Sequence, residues 1–140
     1  MGGGFRRTGS PLELASWAVI PHSICTMKIV RVATGETYQP EPGWKRVSLA
    51  GSSQISVEYF EKPAGHSSPL HQHPQEQVSI VIQGRLKVVN GDGVEAILET
   101  GDSAWFASNE PHRIENPDAE RAIAVDIFIP ARDFSFWKQR

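Results

Sequence analysis

Cysteine is nearly absent: Cys25 is the single residue of its kind, so no disulfide can close within the chain and no cysteine-based zinc motif can be written. The setting this implies by default is reducing and cytoplasmic. Charge of one sign is lacking too. The 14 basic and 16 acidic residues leave a formal charge of −2 and are scattered along the sequence, without the concentrated basic face that a nucleic-acid partner requires. Long hydrophobic runs are also missing. The longest stretch near the start, residues 12–20, contains Glu13 and Ser16 and is followed by Pro21, which reads as neither a membrane span nor a signal peptide. Glu13 likewise argues against reading Arg6 and Arg7 as a twin-arginine signal. No internal repeat and no sustained helical period is present.

What remains is a chain of 140 residues, long enough for one hydrophobic core and short for two. Residues 1–26 read as an N-terminal extension, and residues 27–140 as one domain. Short apolar runs are separated by Gly, Pro, Asn and Asp, the rhythm of an antiparallel all-β domain. Strands are expected at 28–33, 45–49, 54–61, 77–83, 86–90, 95–99, 103–106, 112–115 and 122–129. The Asn90-Gly91-Asp92-Gly93 cluster supplies the positive-φ residues of a tight hairpin. Strands of this number suit a jelly roll or barrel with a sheltered mouth. The last ten residues, with Phe134 and Trp137 three apart, read as a short helix or packed tail covering the outside of the barrel.

His71 and His73 are separated by one residue, so on an extended backbone both imidazoles leave the same face. Gln77 follows with a neutral oxygen ligand, and His112 arrives from a distant strand. Three imidazoles and one oxygen suit a divalent metal ion: zinc, nickel, iron or manganese. Strand alternation favours Gln77 over its neighbour Glu76 as the inward-facing residue.

These residues carry a resemblance to the cupin superfamily. Gly65, His71, His73, Gln77 and Gly84 stand in the register of its first motif, with Gln77 where most members carry glutamate. Gly101, Ala107, Asn109, His112 and Asn116 follow its second, with Ala107 replacing a proline and Asn109 a glycine. The resemblance spans residues 45–129 and implies an antiparallel cupin jelly-roll β-barrel. An amide in place of the carboxylate leaves a bound ion its full charge, which favours anionic substrates and weakens the case for redox cycling.

On the last strand Ala124, Asp126 and Phe128 share one face, and Val125, Ile127 and Ile129 form continuous apolar packing on the other. Asp126 at the barrel mouth is a candidate acid or base, Phe128 a pocket wall, and Arg132 a bidentate binder of a substrate carboxylate. The structural alternatives are an ion pair at Asp126, a core position for Phe128 and a solvated Arg132. The pattern of His71 to Gln77 followed by Asp126, Phe128, Pro130 and Arg132 resembles the KdgF-type pectin-degradation cupins. That resemblance implies ring opening and ketonisation of 4,5-unsaturated uronates, with Asp126 and Arg132 as catalytic residues and Phe128 and Arg132 against the substrate. The competing functions are a three-histidine metal dioxygenase or lyase acting on a small acid, and a non-catalytic ligand-binding barrel. The expected partners are an anionic small molecule and a second copy of the chain, paired through Trp17, Phe134 and Trp137; neither nucleic acid nor a membrane is expected.

Overall fold

A computed structural model describes residues 27–139; the expected extension 1–26, with Trp17, lies outside the described residues. Nine antiparallel strands form two facing sheets. They are β1 (Thr37–Glu41), β2 (Trp44–Ser48), β3 (Ser56–Lys62), β4 (Glu76–Gln83), β5 (Leu86–Asn90), β6 (Glu95–Leu98), β7 (Ser103–Phe106), β8 (His112–Glu115) and β9 (Ala122–Ile129), followed by a 3-10 helix, Phe134–Gln139. The larger sheet runs β1-β2-β3-β9-β4-β7 and the smaller β6-β5-β8, the closed two-sheet architecture expected of a jelly roll. No helix among the described residues is long and apolar enough to cross a membrane.

Eight of the nine expected strands recur, four of them with small shifts at their ends, but the first does not. Residues 28–33 form no strand; they lead into a turn in which the Thr34 and Gly35 amides donate to the Arg31 carbonyl at 3.0 and 2.8 Å. The first strand begins at Thr37 instead and contains Pro40, which an edge strand tolerates because one side of it makes no ladder bonds. The turn folds over Val47, whose methyl would lie 2.7 Å from a Cβ at position 35, so glycine is required there for the approach.

Strand alternation turns three successive rungs of β4, β9 and β3 into the barrel. Gln77, Phe128 and Ser56 lie in one rung, Ser79, Asp126 and Glu58 in the next, and Val81, Ala124 and Phe60 in the third. The third rung joins Leu86, Val88, Leu98, Phe106, Ile114 and Ala122 in the apolar core. Polar groups therefore line one end of the barrel and hydrophobic groups fill the other.

The outward face is the unusual one. Val57, Ile127, Val78 and Trp105 form a row across four strands, and Tyr59, Val125 and Ile80 form the row beside it. The expected apolar packing of Val125, Ile127 and Ile129 is thus on the outside, with Ile129 49% and Trp105 61% exposed.

At the closed end, Asn116 is 1% exposed and gathers the loops: its amide donates to the carbonyls of Lys62, Pro63 and Glu120 at 3.1, 3.1 and 2.7 Å. Lys62 itself is buried, its ammonium 4.5 Å from the centre of the Trp44 ring. Burial, aided by Arg46 and opposed by Asp126, Glu41 and Glu115, pushes its pKa down to about 7. A lysine whose folded pKa lies below its unfolded value costs stability when protonated. That cost is complete below about pH 7 and fades as the pH rises toward the ordinary value of 10.5. Lys62→Met is expected to stabilise the fold by about 1–3 kcal/mol near neutrality. The gain should vanish by about pH 10 in urea unfolding curves; a gain independent of pH would contradict a buried, depressed amine.

Candidate metal centre

The two histidine segments meet through backbone bonds: the His71 amide donates to the His112 carbonyl at 3.0 Å and the His112 amide to the His71 carbonyl at 2.9 Å. The loop carrying Asn109 is held against the first segment, its amide donating to the His73 carbonyl at 2.8 Å. Asn109 has φ of 60°, the left-handed conformation that asparagine adopts more readily than other non-glycine residues, so it substitutes for the motif's glycine.

Each imidazole is oriented from behind. His71 Nδ1 lies 2.8 Å from the Pro69 carbonyl, His73 Nδ1 3.0 Å from that of Gln75, and His112 Nδ1 2.7 Å from that of Glu110. A carbonyl accepts only, so in each ring the proton sits on Nδ1 and the Nε2 lone pair points inward. Burial also lowers the pKa of His73 and of His112, which favours the neutral, ligating form. The ring atoms available to an ion lie within 4.8 Å of one another.

Gln77 completes the cluster. It is 2% exposed, while Glu76 faces solvent and accepts from Trp105 Nε1 at 3.0 Å, as alternation requires. Gln77 Oε1 lies 3.0 Å from His73 Nε2 and 3.1 Å from His112 Nε2. With the ring protons committed to Nδ1, these atoms meet lone pair to lone pair, and a cation is the group that relieves the arrangement. The donor set therefore fits a divalent metal ion.

Asp126 and Arg132 are placed otherwise than expected. Asp126 lies in the rung behind Gln77, and both its oxygens are engaged: Ser79 Oγ donates to one at 2.5 Å and Arg46 Nη2 to the other at 2.8 Å. Arg132 is buried, its bidentate face taken by Glu58 rather than left for a substrate, with Nη2 donating at 2.9 and 2.8 Å. Its guanidinium lies 3.7 Å from the centre of the Phe128 ring. Phe128 is wholly buried and sits edge-on to His73 with centroids 5.5 Å apart, so it backs the centre instead of walling an open pocket. Arg46 joins the two carboxylates, its Nε donating to Glu58 at 2.7 Å. Burial opposes these charges, but the attraction of Arg46 and Arg132 outweighs it and holds Glu58 below its usual range. Burial, partly offset by Glu58, pushes Arg132 down to about 10, so it stays cationic at neutral pH. Arg132 Nη1 is left without a partner. Nη1 itself is sealed from solvent, while the Arg132 residue joins His73, Pro74, Gln75 and Phe136 around a hollow of about 200 Å3.

Arg46 and Glu58 were not anticipated. Their signal was present, since the inward positions of β3 alternate as Glu58, Phe60 and Lys62, but charged residues alternating with apolar ones read as a solvent-facing row.

The C-terminal helix lies over the centre instead of outside the barrel. Trp137 is 5% exposed, its ring centroid 5.6 Å from that of His71 and 5.0 Å from that of Trp44, and its Nε1 donates to Glu58 at 3.3 Å. Phe136 stands 5.9 Å from His73. Beneath them the internal cavity that His71, Gln77 and Asp126 line is about 10 Å3, room for about one water. Phe134 and Trp137 are accordingly committed within the chain and are withdrawn from the expected pairing interface.

Residues 58–128 match the family model described as Cupin domain. A relative from Bacillus subtilis named H2HPP isomerase is 32% identical over 81 residues, 57% of this chain; the chain spans about a third of that relative's length, 33%. Among solved structures, an RmlC-like cupin from Shewanella frigidimarina superposes with a TM-score of 0.68 at 26% identity, covering 77% of this chain and 95% of that one. KdgF from Halomonas sp. superposes with a TM-score of 0.70 at 23% identity, covering 77% and 97%, a likeness of fold.

Because Trp137 closes the mouth, Trp137→Ala is expected to release a bound divalent ion to a chelator several-fold faster than the parent protein. Stopped-flow mixing with a chromogenic chelator measures this, and equal rates would show that the helix does not limit access.

Proposed function

For a chain that belongs to the cupin family, we propose an enzyme that holds one divalent metal ion through His71, His73, Gln77 and His112 and isomerises a small carboxylate-bearing substrate by proton transfer. Ring opening and ketonisation of a 4,5-unsaturated uronate is the reaction the site suits best. The observation that carries this reading is the set of His71, His73 and His112 with the Gln77 oxygen against it, beside a hollow that His73 and Arg132 both line.

A substrate carboxylate in that hollow would lie against the Arg132 side chain, whose guanidinium Glu58 holds rigid. A divalent ion held by His71, His73, Gln77 and His112 would supply Lewis acidity there. Gln77, being neutral, leaves that acidity undiminished, and Phe128 and Phe136 exclude water from one side. Asp126 acts from behind, through Ser79 and Gln77. The reaction is an isomerisation: a proton leaves the ring hydroxyl, the ring carbon–oxygen bond opens, and the enol so formed takes a proton on carbon. No oxidant enters, which agrees with the isomerase name of the Bacillus subtilis relative.

The test follows the loss of the conjugated chromophore of unsaturated galacturonate by ultraviolet absorbance, with metal-loaded protein. Decay faster than the spontaneous rate, lost on adding chelator and in His112→Ala, is the expected result. No acceleration by protein with its metal confirmed would overturn the uronate assignment, and oxygen uptake with iron would replace it with a dioxygenase.

We also propose that a second copy of the chain covers the outward face of the larger sheet. A sheet with one solvated face alternates apolar and polar residues; this one presents Val57, Val78, Ile80, Val125, Ile127 and Trp105 without a charge among them. A two-fold interface sets the same patch against itself, so the uncharged middle of this face meets itself without like-charge repulsion, with Glu76 at its margin bonded to Trp105. Ile127→Glu is expected to convert a dimer to a monomer in sedimentation velocity while metal content is retained. A monomeric parent protein would refute the pairing.

A further inference from the structure

An amide is a two-ended ligand: its oxygen can approach a cation and its nitrogen cannot. Nothing about glutamine itself decides which end of Gln77 meets the histidines. The decision is made on the other side of the side chain. Gln77 Nε2 lies 2.9 Å from Ser79 Oγ, which lies 2.5 Å from Asp126 Oδ1, and Asp126 Oδ2 accepts from Arg46 Nη2 at 2.8 Å. All four side chains are at most 2% exposed, so bulk water does not compete for these bonds.

The hydrogens can be counted. Asp126, paired with a guanidinium, only accepts. The single hydroxyl hydrogen of Ser79 therefore lies on the line to Asp126, and Ser79 turns lone pairs alone toward Gln77. Lone pairs accept, so the amide nitrogen of Gln77 must face Ser79 and its oxygen must face His73 and His112.

We infer that Ser79 and Asp126 form a polarity lock: positioning residues that hold the oxygen of Gln77 on the metal side and select a neutral amide over a carboxylate at position 77. The inference rests on reading Gln77 as a ligand. A glutamate at 77 would set its second oxygen against the lone pairs of Ser79, with the charge of Asp126 behind them. It would then have to take a proton or break the bond between Ser79 and Asp126. An aspartate that touches no metal thus fixes the charge of the ligand set.

Cobalt(II) is the probe, its affinity measured by competition with a chelator and its ligand field by visible absorption, with unfolding curves run on every variant. Loss of a partner behind a ligand costs metal affinity about 10- to 100-fold. Ser79→Ala and Asp126→Asn are expected to weaken binding by that amount and to change the spectrum, with Ser79→Thr restoring both. The decisive comparison is one of sign. With Gln77 present, Asp126→Asn weakens cobalt binding; in the Gln77→Glu background the same change strengthens it, because the opposing charge is gone. A role confined to packing would weaken both. Undiminished affinity and an unchanged spectrum in Ser79→Ala and Asp126→Asn, with binding lost in Gln77→Ala, would overturn the lock and leave the ligand reading standing. Unchanged binding in Gln77→Ala would overturn the ligand reading itself. Should Ser79→Ala fail to fold, the sign comparison at position 126 decides.

Discussion

Four charged side chains buried in one end of a small barrel constrain everything else in it. Arg46, Glu58, Asp126 and Arg132 are each at most 5% exposed, and an isolated charge so placed would cost several kcal/mol. They are tolerated because they alternate in sign: Asp126 bonds Arg46, Arg46 bonds Glu58, and Glu58 bonds Arg132. The chain joins β9, β2 and β3 to the segment after Pro130, so strand register, the path of the C-terminal segment and the aim of Arg132 are set together. Trp137 reaches the same carboxylate, its Nε1 donating to Glu58 at 3.3 Å, and this anchors the helix over the mouth. Removing one member would leave another uncompensated, so the network behaves as a unit and not as a sum of pairs.

The β architecture and the histidine cluster were legible because they depend on local spacing. His71 and His73 face one way on extended backbone whatever surrounds them, and Asn109 fits a turn by its own conformational preference. The choice of Gln77 over Glu76 followed from alternation alone. The network was not legible because its members come from β2, β3, β9 and the segment beyond, and no local pattern distinguishes a buried Glu58 from a solvated one. The reading of β9 shows the same limit from the other side. Alternation separates its two faces correctly and reads Val125, Ile127 and Ile129 as apolar packing, but it does not say which face is outside; a barrel that keeps charges inside turns the apolar one outward. The first strand failed for a different reason: residues 28–33 pair with no strand, and Ile29, Val30 and Val32 stay exposed ahead of the turn at Gly35.

The inversion of the larger sheet ties the site to the assembly proposed for it. Inward positions of β4 and β9 carry Gln77, Ser79, Asp126 and Phe128, and the alternate positions carry Val78, Ile80, Ile127 and Ile129. Polar residues in the interior cannot contribute the hydrophobic burial that stabilises a domain of this size. Apolar residues on the exterior can, once covered. A partner copy on that face would supply the burial that the charged interior forgoes, without touching the groups that line the mouth.

The electrostatic sum at the mouth points to the class of ligand. The four buried charges cancel among themselves, and the Gln77 amide and the three neutral imidazoles add nothing. A divalent ion in the centre would therefore stand at its full charge beside Arg132, which stays cationic at neutral pH. The internal cavity behind the centre has room for about one water, so solvent on that side screens an ion less than bulk water would. On the function proposed above, an anionic substrate is what would balance the charge of such an ion. On that reading the substitution of glutamine for the family's glutamate would move the balancing anion from the protein to the substrate. Ser79 and Asp126, which hold that glutamine to its neutral role, then act on substrate choice as much as on the metal.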